Sequence, residues 1–178
     1  MTYVIRRNFF TAALAWRLRA MMLNEARYTP ATVIGDAAWR AGRVAHIEGS
    51  PEAQTAAEEI LRAVPAVCYA LGIDAFAPSR CEVQLSRYGD GDYFRPHVDD
   101  GSPGTAARVL SWVVYLDLVK PREWTGGALR LIDYHFVDPE DGMVIFFPSS
   151  KYHEVLPVSV SGETWEKGRH TINGWVRR

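Results

Sequence analysis

Two side chains that can bind a metal ion, His97 and Asp99, lie two positions apart in the sequence. In an extended strand, residues i and i+2 point to the same face, so this imidazole and this carboxylate would project together. One further histidine would complete a set of two histidines and one carboxylate, which holds Fe(II) on one face and leaves other positions open. His153, at the start of a later predicted strand, is our candidate for the third ligand.

The spacing of His97 and Asp99 is also compatible with a surface pair in a loop, because so short a pattern can occur by chance. A competing pair in the reverse order occurs at Asp133 and His135. It lies among polar turn residues just before residues 138–142, so we interpret it as a solvated loop. Support for a metal site must therefore come from the rest of the chain.

The last predicted strand, residues 169–176, opens with an arginine. Alternation along it puts Arg169, Thr171, Asn173 and Trp175 on one face. A guanidinium that shares a face with a tryptophan in a core strand is costly unless it meets an anion. Its planar fork suits a carboxylate, although a strand-end arginine can also extend to water.

The N-terminal part of the chain is predicted to be helical, over residues 11–27 and 51–72. The second helix has Ser50 at its N-cap, a proline in its first turn and Gly72 after its C-terminal end. Pro65 falls inside this helix, and we expect it to kink the helix or split it in two.

From about residue 79 the sequence changes to short β-like runs separated by Gly, Pro and Asp. The predicted strands are residues 81–88, 93–99, 109–117, 128–132, 143–147, 153–158 and 169–176. Short, closely spaced strands are typical of an antiparallel sandwich or barrel rather than of βαβ units. We therefore expect an α+β, mainly β fold, with helices over about 1–78 that buttress one sheet of a β core over about 79–178.

Length, charge and cysteine content restrict the function classes. The 178 residues suggest a single domain over 1–178. With 20 basic and 21 acidic residues, neither nucleic acid nor a membrane is expected as a partner. Two cysteines, Cys68 and Cys81, could form one bridge, but we expect two reduced and buried thiols. No signal peptide or bilayer-spanning stretch is visible. We expect a soluble, cytoplasmic protein, and the oligomeric state stays open.

Further motifs follow one another in a fixed order from residue 88 to the end of the chain. They are Tyr88, Gly91 and Tyr93 before His97 and Asp99, Arg108 ahead of the apolar run to Tyr115-Leu116-Asp117, Gly126-Gly127-Ala128-Leu129-Arg130, Pro139 and Gly142 before residues 144–147, His153-Glu154-Val155, and Arg169 with Trp175. In this order the chain resembles the iron- and 2-oxoglutarate-dependent dioxygenases, specifically their prolyl 4-hydroxylase-like branch. The resemblance covers roughly residues 80–178 and implies a double-stranded β-helix, or jelly-roll, core.

The resemblance also implies roles for individual residues. His97, Asp99 and His153 would bind Fe(II). Arg169, helped by the Tyr115 hydroxyl, would pair with the distal carboxylate of 2-oxoglutarate. The remaining expected contacts to this cosubstrate are Leu129 on its methylenes and polar groups of Tyr88 and Asn173. Dioxygen would be the cosubstrate, with ascorbate as a candidate reductant.

The activity implied is hydroxylation of an unactivated C–H bond, with release of succinate and CO2, on a prolyl or similar residue of a protein or peptide. One alternative keeps this chemistry with a free amino acid or a small natural-product intermediate as substrate. A lower alternative is a non-catalytic β-sandwich that binds a small molecule.

Two further expectations concern the surroundings of this site. Residues 159–168 form an apparent insertion relative to the family. The candidates for the substrate rim are Tyr93, Arg95, Trp124 and Trp165. Each of the two tryptophans is equally suited to core packing.

Overall fold

The computed structural model describes residues 1–31, 39–131, 135–162 and 164–178. Helix α1 spans Ala12–Met22, and helix α2 spans Pro51–Leu71. The prediction of one helix over 11–27 is wrong at its C-terminal end, because the chain leaves the α-helix after Met22 and makes a separate 3-10 turn, Glu25–Arg27.

Helix α2 has the predicted termini. The Ser50 side chain accepts a hydrogen bond from the backbone of Ala53 at 3.1 Å, and Gly72 ends the helix in the left-handed conformation at φ 69°. The helix is not split at Pro65, which was one of the two outcomes expected. Pro65 lies on the exposed side of the helix, so water can satisfy the carbonyl that loses its partner.

The described residues also form thirteen strands. They are β1 Val4–Arg6, β2 Thr29–Pro30, β3 Arg43–His46, β4 Arg80–Tyr88, β5 Phe94–His97, β6 Arg108–Tyr115, β7 Trp124–Gly126, β8 Leu129–Leu131, β9 His135–Val137, β10 Val144–Pro148, β11 His153–Val155, β12 Val158–Val160 and β13 Arg169–Arg177. Every predicted strand is present, but the predicted strand 153–158 is two strands, β11 and β12.

The strands form a large sheet, a small sheet and a separate pair, and all their ladders are antiparallel. The large sheet has the order β1-β10-β6-β13-β4-β3-β2, and the small sheet has the order β5-β11-β8-β9. The remaining pair is β12-β7. This arrangement of antiparallel sheets beside two helices agrees with the α+β, mainly β double-stranded β-helix that was expected.

Two hydrophobic cores flank the large sheet. One lies between the helices and the sheet, where Leu14 and Ile60 pack with Leu85 and Ile172 at no solvent exposure. The helices therefore buttress one sheet, as predicted. The second core lies on the side of the small sheet and includes Leu129 among its buried residues. Alternation along β13 sends Ile172 and Val176 into the core beside the helices, and it sends the side chains of the other face to a cavity on the opposite side of the sheet.

Three other expectations concern the two cysteines, membrane-spanning helices, and the pair Asp133 and His135. Cys68 and Cys81 are free thiols, but only Cys68 is fully buried. Within the described ranges, neither helix has the length and apolarity needed to cross a membrane. Asp133 lies outside the described residues, and its predicted loop partner His135 instead begins β9, with an exposed side chain.

Candidate functional site

The two predicted histidine ligands lie directly opposite each other on neighbouring strands of the small sheet. His97 ends β5 and His153 begins β11, and the two are register partners in the antiparallel ladder. Their ring centroids are 4.2 Å apart. Since β11 also pairs with β8 on its other side, His153 is fixed by ladders on both edges of its strand.

Both histidines use the same ring nitrogen for a backbone hydrogen bond. His97 Nδ1 lies 2.8 Å from the carbonyl of Arg95, and His153 Nδ1 lies 2.8 Å from the carbonyl of Lys151. A carbonyl only accepts, so each Nδ1 carries a proton, and in the neutral ring Nε2 then keeps its lone pair. This is the tautomer that a metal ligand bound through Nε2 requires.

Asp99 completes the cluster from a bend just beyond β5. The prediction of a strand over 93–99 is wrong at this end, because β5 stops at His97. The carboxylate nevertheless faces both histidines, with Oδ1 at 3.5 Å from His97 Nε2 and Oδ2 at 3.5 Å from His153 Nε2. One ligand atom from each of the three residues lies within 4.8 Å of the others.

Hydrogen bonds hold Asp99 in place from several sides. Its backbone N–H donates to the carbonyl of Ser149 at 2.8 Å, and its own carbonyl accepts from Arg108 at 3.3 Å. The Ser111 hydroxyl donates to Oδ2 at 2.6 Å and lies 3.0 Å from the Ser149 hydroxyl. Asp99, Ser111 and Ser149 therefore form a closed polar ring inside the protein.

The protonation states suit metal binding. Burial would raise the pKa of Asp99, but electrostatic interaction with His153 and His97 and hydrogen bonds from His97 and Ser111 together hold that pKa below its ordinary value. Burial also lowers the pKa of His153, despite the opposing charge of Asp99. At neutral pH the cluster therefore offers an ionised carboxylate and a neutral imidazole on β11.

Across the cavity from the cluster, Arg169 is buried at 2% exposure. Its Nε donates to the carbonyl of Gly127 at 2.9 Å, and its guanidinium lies 5.2 Å from the Tyr88 ring centre and 4.9 Å from that of Tyr115. Within the described ranges, Arg169 forms no ion pair. A guanidinium this deeply buried indicates a site for an external anion.

Gly127 is required for this arrangement. Its φ is +62°, and a Cβ built on it would lie 2.7 Å from Cδ of Arg169. Any side chain at this position would therefore push Arg169 out of place, besides adopting a backbone conformation that L residues rarely take.

The other predicted cosubstrate contacts lie near Arg169. Leu129, Tyr88 and Asn173 line the same cavity as the histidines. The Tyr115 hydroxyl is buried without a hydrogen-bond partner, and burial raises the pKa of this phenol although the Arg169 charge opposes the shift. An unpartnered buried hydroxyl beside a buried guanidinium fits a carboxylate that would accept from both.

None of the four expected rim residues is among the described residues that line the cavity. Trp165 does not line the cavity, because its indole donates to the carbonyl of Met22 at 2.8 Å and its ring packs on Tyr28. The part of the 159–168 insertion that holds Trp165 thus anchors the β core to the segment after α1. Trp124 is buried in the second core, at 5% exposure. Tyr93 and Arg95 lie outside the cavity lining, which includes Trp175 instead.

Comparison with known proteins shows the family to which the chain belongs. Residues 83–177 match the 2OG-Fe(II) oxygenase superfamily. The chain belongs to this superfamily. Fe(II) and 2-oxoglutarate are the metal and cosubstrate of the family, and the cluster of His97, Asp99 and His153 beside Arg169 fits both groups. The donor set of two imidazoles and one carboxylate is the one that non-haem Fe(II) takes.

Individual members of the superfamily show the same relationship. An uncharacterised PKHD-type hydroxylase of Synechocystis sp. is 32% identical over 134 residues, which cover 68% of this chain and 44% of the relative. The chain spans about half the length of the curated relatives it matches.

Two solved structures show the fold. A Pseudomonas putida prolyl-4-hydroxylase superposes with a TM-score of 0.75 at 24% identity, covering 99% of this chain and 93% of that one. A Trichoplax adhaerens prolyl hydroxylase, in complex with a hypoxia-inducible-factor peptide fragment, has a TM-score of 0.71 at 16% identity, covering 99% and 83%.

Proposed function

We propose that the chain is an Fe(II)- and 2-oxoglutarate-dependent dioxygenase that hydroxylates an unactivated C–H bond of a prolyl or similar residue in a protein or peptide. The observation that carries the proposal is the convergence of two histidine Nε2 atoms and one carboxylate within 4.8 Å, in the same cavity as a buried guanidinium that forms no ion pair with another described residue. We further propose that residues 1–178 form one domain, which is supported by the core that joins helices and sheet, and that this domain acts in the cytoplasm.

In this proposal His97, Asp99 and His153 hold Fe(II), which supplies the redox chemistry with dioxygen when bound. The two backbone carbonyls behind the histidines keep both Nε2 atoms directed at the metal. Ser111 holds one carboxylate oxygen of Asp99, so that the other oxygen is the better ligand. A set of two histidines and one carboxylate would leave the metal accessible to other ligands.

The proposed 2-oxoglutarate site extends from the metal to Arg169. Arg169 and the Tyr115 hydroxyl bind the distal carboxylate, and Leu129 packs against the methylenes. Tyr88 and Asn173 border this path. Burial of the guanidinium makes recognition strict, since an analogue without that carboxylate would leave the charge unpaired.

The proposed overall reaction consumes 2-oxoglutarate, dioxygen and the substrate C–H bond, and it yields succinate, CO2 and the hydroxylated product. One oxygen atom enters succinate and the other enters the product. Prolyl hydroxylases among the structures that share the fold support a peptide substrate over a free amino acid or a natural-product intermediate. An intact cluster and an unpaired arginine argue against a non-catalytic binding protein.

The direct test is 2-oxoglutarate turnover by protein purified without oxygen and loaded with Fe(II). Wild type is expected to form succinate slowly alone and faster with a peptide library, in which mass spectrometry finds a 16 Da gain. His153→Ala should abolish turnover. His46→Ala is the matched control, because His46 is exposed on β3. Absence of both turnover and metal-dependent stabilisation in wild type would overturn the proposal.

A further inference from the structure

The cavity that holds the metal cluster is lined by a second arginine. Arg40 and Arg169 both contribute to its wall, and among the described residues that line it Asp99 is the only carboxylate. Within the described residues Arg40 forms no ion pair, and its Nε is buried without a hydrogen-bond partner. Its nearest polar contact is the Ser86 hydroxyl, 3.5 Å from Nη2. At that distance a hydrogen bond is weak.

The position of Arg40 is fixed by backbone pairing with β5. The carbonyl of Trp39 accepts from Arg95 at 2.9 Å, and the N–H of Ala41 donates to Tyr93 at 3.0 Å. Arg40 itself makes a β-bridge with Phe94. The side chain therefore starts from a rigid support rather than from a free loop.

Arg40 lies one aromatic ring away from the metal cluster. Its guanidinium carbon is 4.6 Å from the Phe94 ring centre, and that ring stacks on His97 with centroids 3.6 Å apart. Both arginines approach the Tyr88 ring, with Arg40 at 5.8 Å and Arg169 at 5.2 Å from its centre. Their other neighbours differ, since Arg40 lies over Phe94 whereas Arg169 lies against Tyr115 and Gly127.

Charge balance distinguishes the two arginines. With Fe(II) and 2-oxoglutarate in place, the two positive charges of the metal and the one of Arg169 match the single charge of Asp99 and the two of 2-oxoglutarate. Among the described residues of the cavity wall, the charge of Arg40 is then the one without an opposite charge. A partly buried, uncompensated guanidinium gains most from a carboxylate that can accept two parallel hydrogen bonds.

We propose that Arg40 is a specificity-determining residue that binds a carboxylate of the substrate. The inference rests on the proposed function, and it narrows the substrate to a molecule with a carboxylate close to the hydroxylated carbon. That carboxylate can be the α-carboxylate of a C-terminal residue or an acidic side chain in a peptide. In either case Arg40 binds the substrate, and Arg169 binds the cosubstrate.

The test measures binding by calorimetry to enzyme loaded with Mn(II) and 2-oxoglutarate under anaerobic conditions. One arm compares N-acetyl-L-proline with N-acetyl-L-prolinamide. The other compares acetyl-Pro-Glu-amide with acetyl-Pro-Gln-amide. In at least one arm, wild type should prefer the carboxylate about 10- to 100-fold, the range of a charge-assisted pair. The arm that shows the preference identifies the source of the carboxylate.

Arg40→Gln should remove the preference, and Arg40→Lys should keep part of it, since the charge remains without the planar fork. Arg43→Gln is the matched control, because Arg43 lies on β3 with an exposed side chain outside the cavity lining. The KM for 2-oxoglutarate should be unchanged by Arg40→Gln. A shift in that KM would instead place Arg40 in the cosubstrate site and overturn the proposal.

Equal wild-type affinity for acid and amide in both arms, or no binding of either acid at millimolar concentration, would also overturn the proposal. If Arg40→Gln lost affinity equally for the acid and the amide, Arg40 would only support Phe94 and would not bind the carboxylate. These outcomes are separable from failure of the proposed function, because wild type would still convert 2-oxoglutarate to succinate in each of them.

Discussion

His97 and His153 are register partners across one antiparallel ladder, and each donates its Nδ1–H to the carbonyl two residues before it. The same local hydrogen bond therefore sets the tautomer of both rings, although they lie far apart in the sequence. The two Nε2 atoms face the same carboxylate as a result. This relationship explains how a short His-x-Asp motif and a distant histidine can make one metal site.

Loss of a histidine should remove the metal. We predict that His153→Ala weakens Mn(II) binding at least about 100-fold, beyond the 10- to 100-fold effect typical of residues that only support a ligand. Titration calorimetry or electron paramagnetic resonance of Mn(II) measures this change. His135→Ala, a change at an exposed histidine outside the cluster, should leave the affinity as in wild type. Tight binding by His153→Ala would remove it from the ligand set.

Ser111 should affect the metal without touching it. Ser111→Ala removes the 2.6 Å hydrogen bond to Asp99 Oδ2, so we expect Mn(II) affinity to fall about 10-fold, at the low end for such supporting residues. Ser149→Ala should have a smaller effect, because the Ser149 hydroxyl reaches the carboxylate only through Ser111. The same calorimetric titration ranks the three proteins. Equal affinity of Ser111→Ala and wild type would contradict the positioning role.

We expect a side chain at Gly127 to weaken cosubstrate binding, in addition to the strain that its backbone conformation would cause. Gly127→Ala is expected to raise the KM for 2-oxoglutarate at least about 10-fold, because its Cβ would displace Arg169 from a charge-assisted contact. Gly162→Ala is a close control, since its φ is +61° and no atom lies within 4 Å of the added Cβ. Both variants should lose about 1 kcal/mol of stability from the strained backbone. Equal KM values in the two variants would exclude this account of Gly127.

His170 should make the protein less stable in acid. It lies on the helix side of β13 at no exposure, and burial lowers its pKa to about 4. Its ordinary pKa in the unfolded chain is about 6.5, so between these values only the unfolded state takes up the proton. The contribution of neutral His170 to the free energy of unfolding is therefore complete above pH 6.5. It is lost as the pH falls towards 4, by at most about 3 kcal/mol.

Urea unfolding at a series of pH values measures this contribution as a difference between wild type and His170→Gln. The glutamine amide can still donate to the Trp165 carbonyl, which His170 Nε2 approaches at 2.9 Å. The variant should show a shallower decline of unfolding free energy below pH 6.5. If the unfolding free energies of wild type and variant declined in parallel with falling pH, His170 would not be the group that causes the loss of stability.

The sequence predicted well those features that follow from local pattern. The alternation along β13 places Arg169, Thr171, Asn173 and Trp175 on the cavity side as expected. The N-cap at Ser50 and the left-handed end at Gly72 follow from residue type alone. The assignment of His97, Asp99 and His153 as ligands stays a prediction, but their proximity agrees with it.

Features set by long-range pairing were not predictable. Ser111 lies in an apolar run that was interpreted only as a buried strand, and nothing local shows that it faces Asp99. Arg40 reaches the cavity because its segment pairs with β5 more than fifty positions later. The residue type of Trp165 suits a substrate rim, but its packing on Tyr28 depends on the path of the N-terminal segment.

The most direct test of the account is anaerobic mixing of wild-type protein with Fe(II) and 2-oxoglutarate, followed by absorption spectroscopy. A visible metal-to-ligand charge-transfer band is expected in wild type and should be absent in Asp99→Ala. Correctly folded wild type that shows no such band at saturating Fe(II) and 2-oxoglutarate would contradict the assignment of this cavity as the site of both.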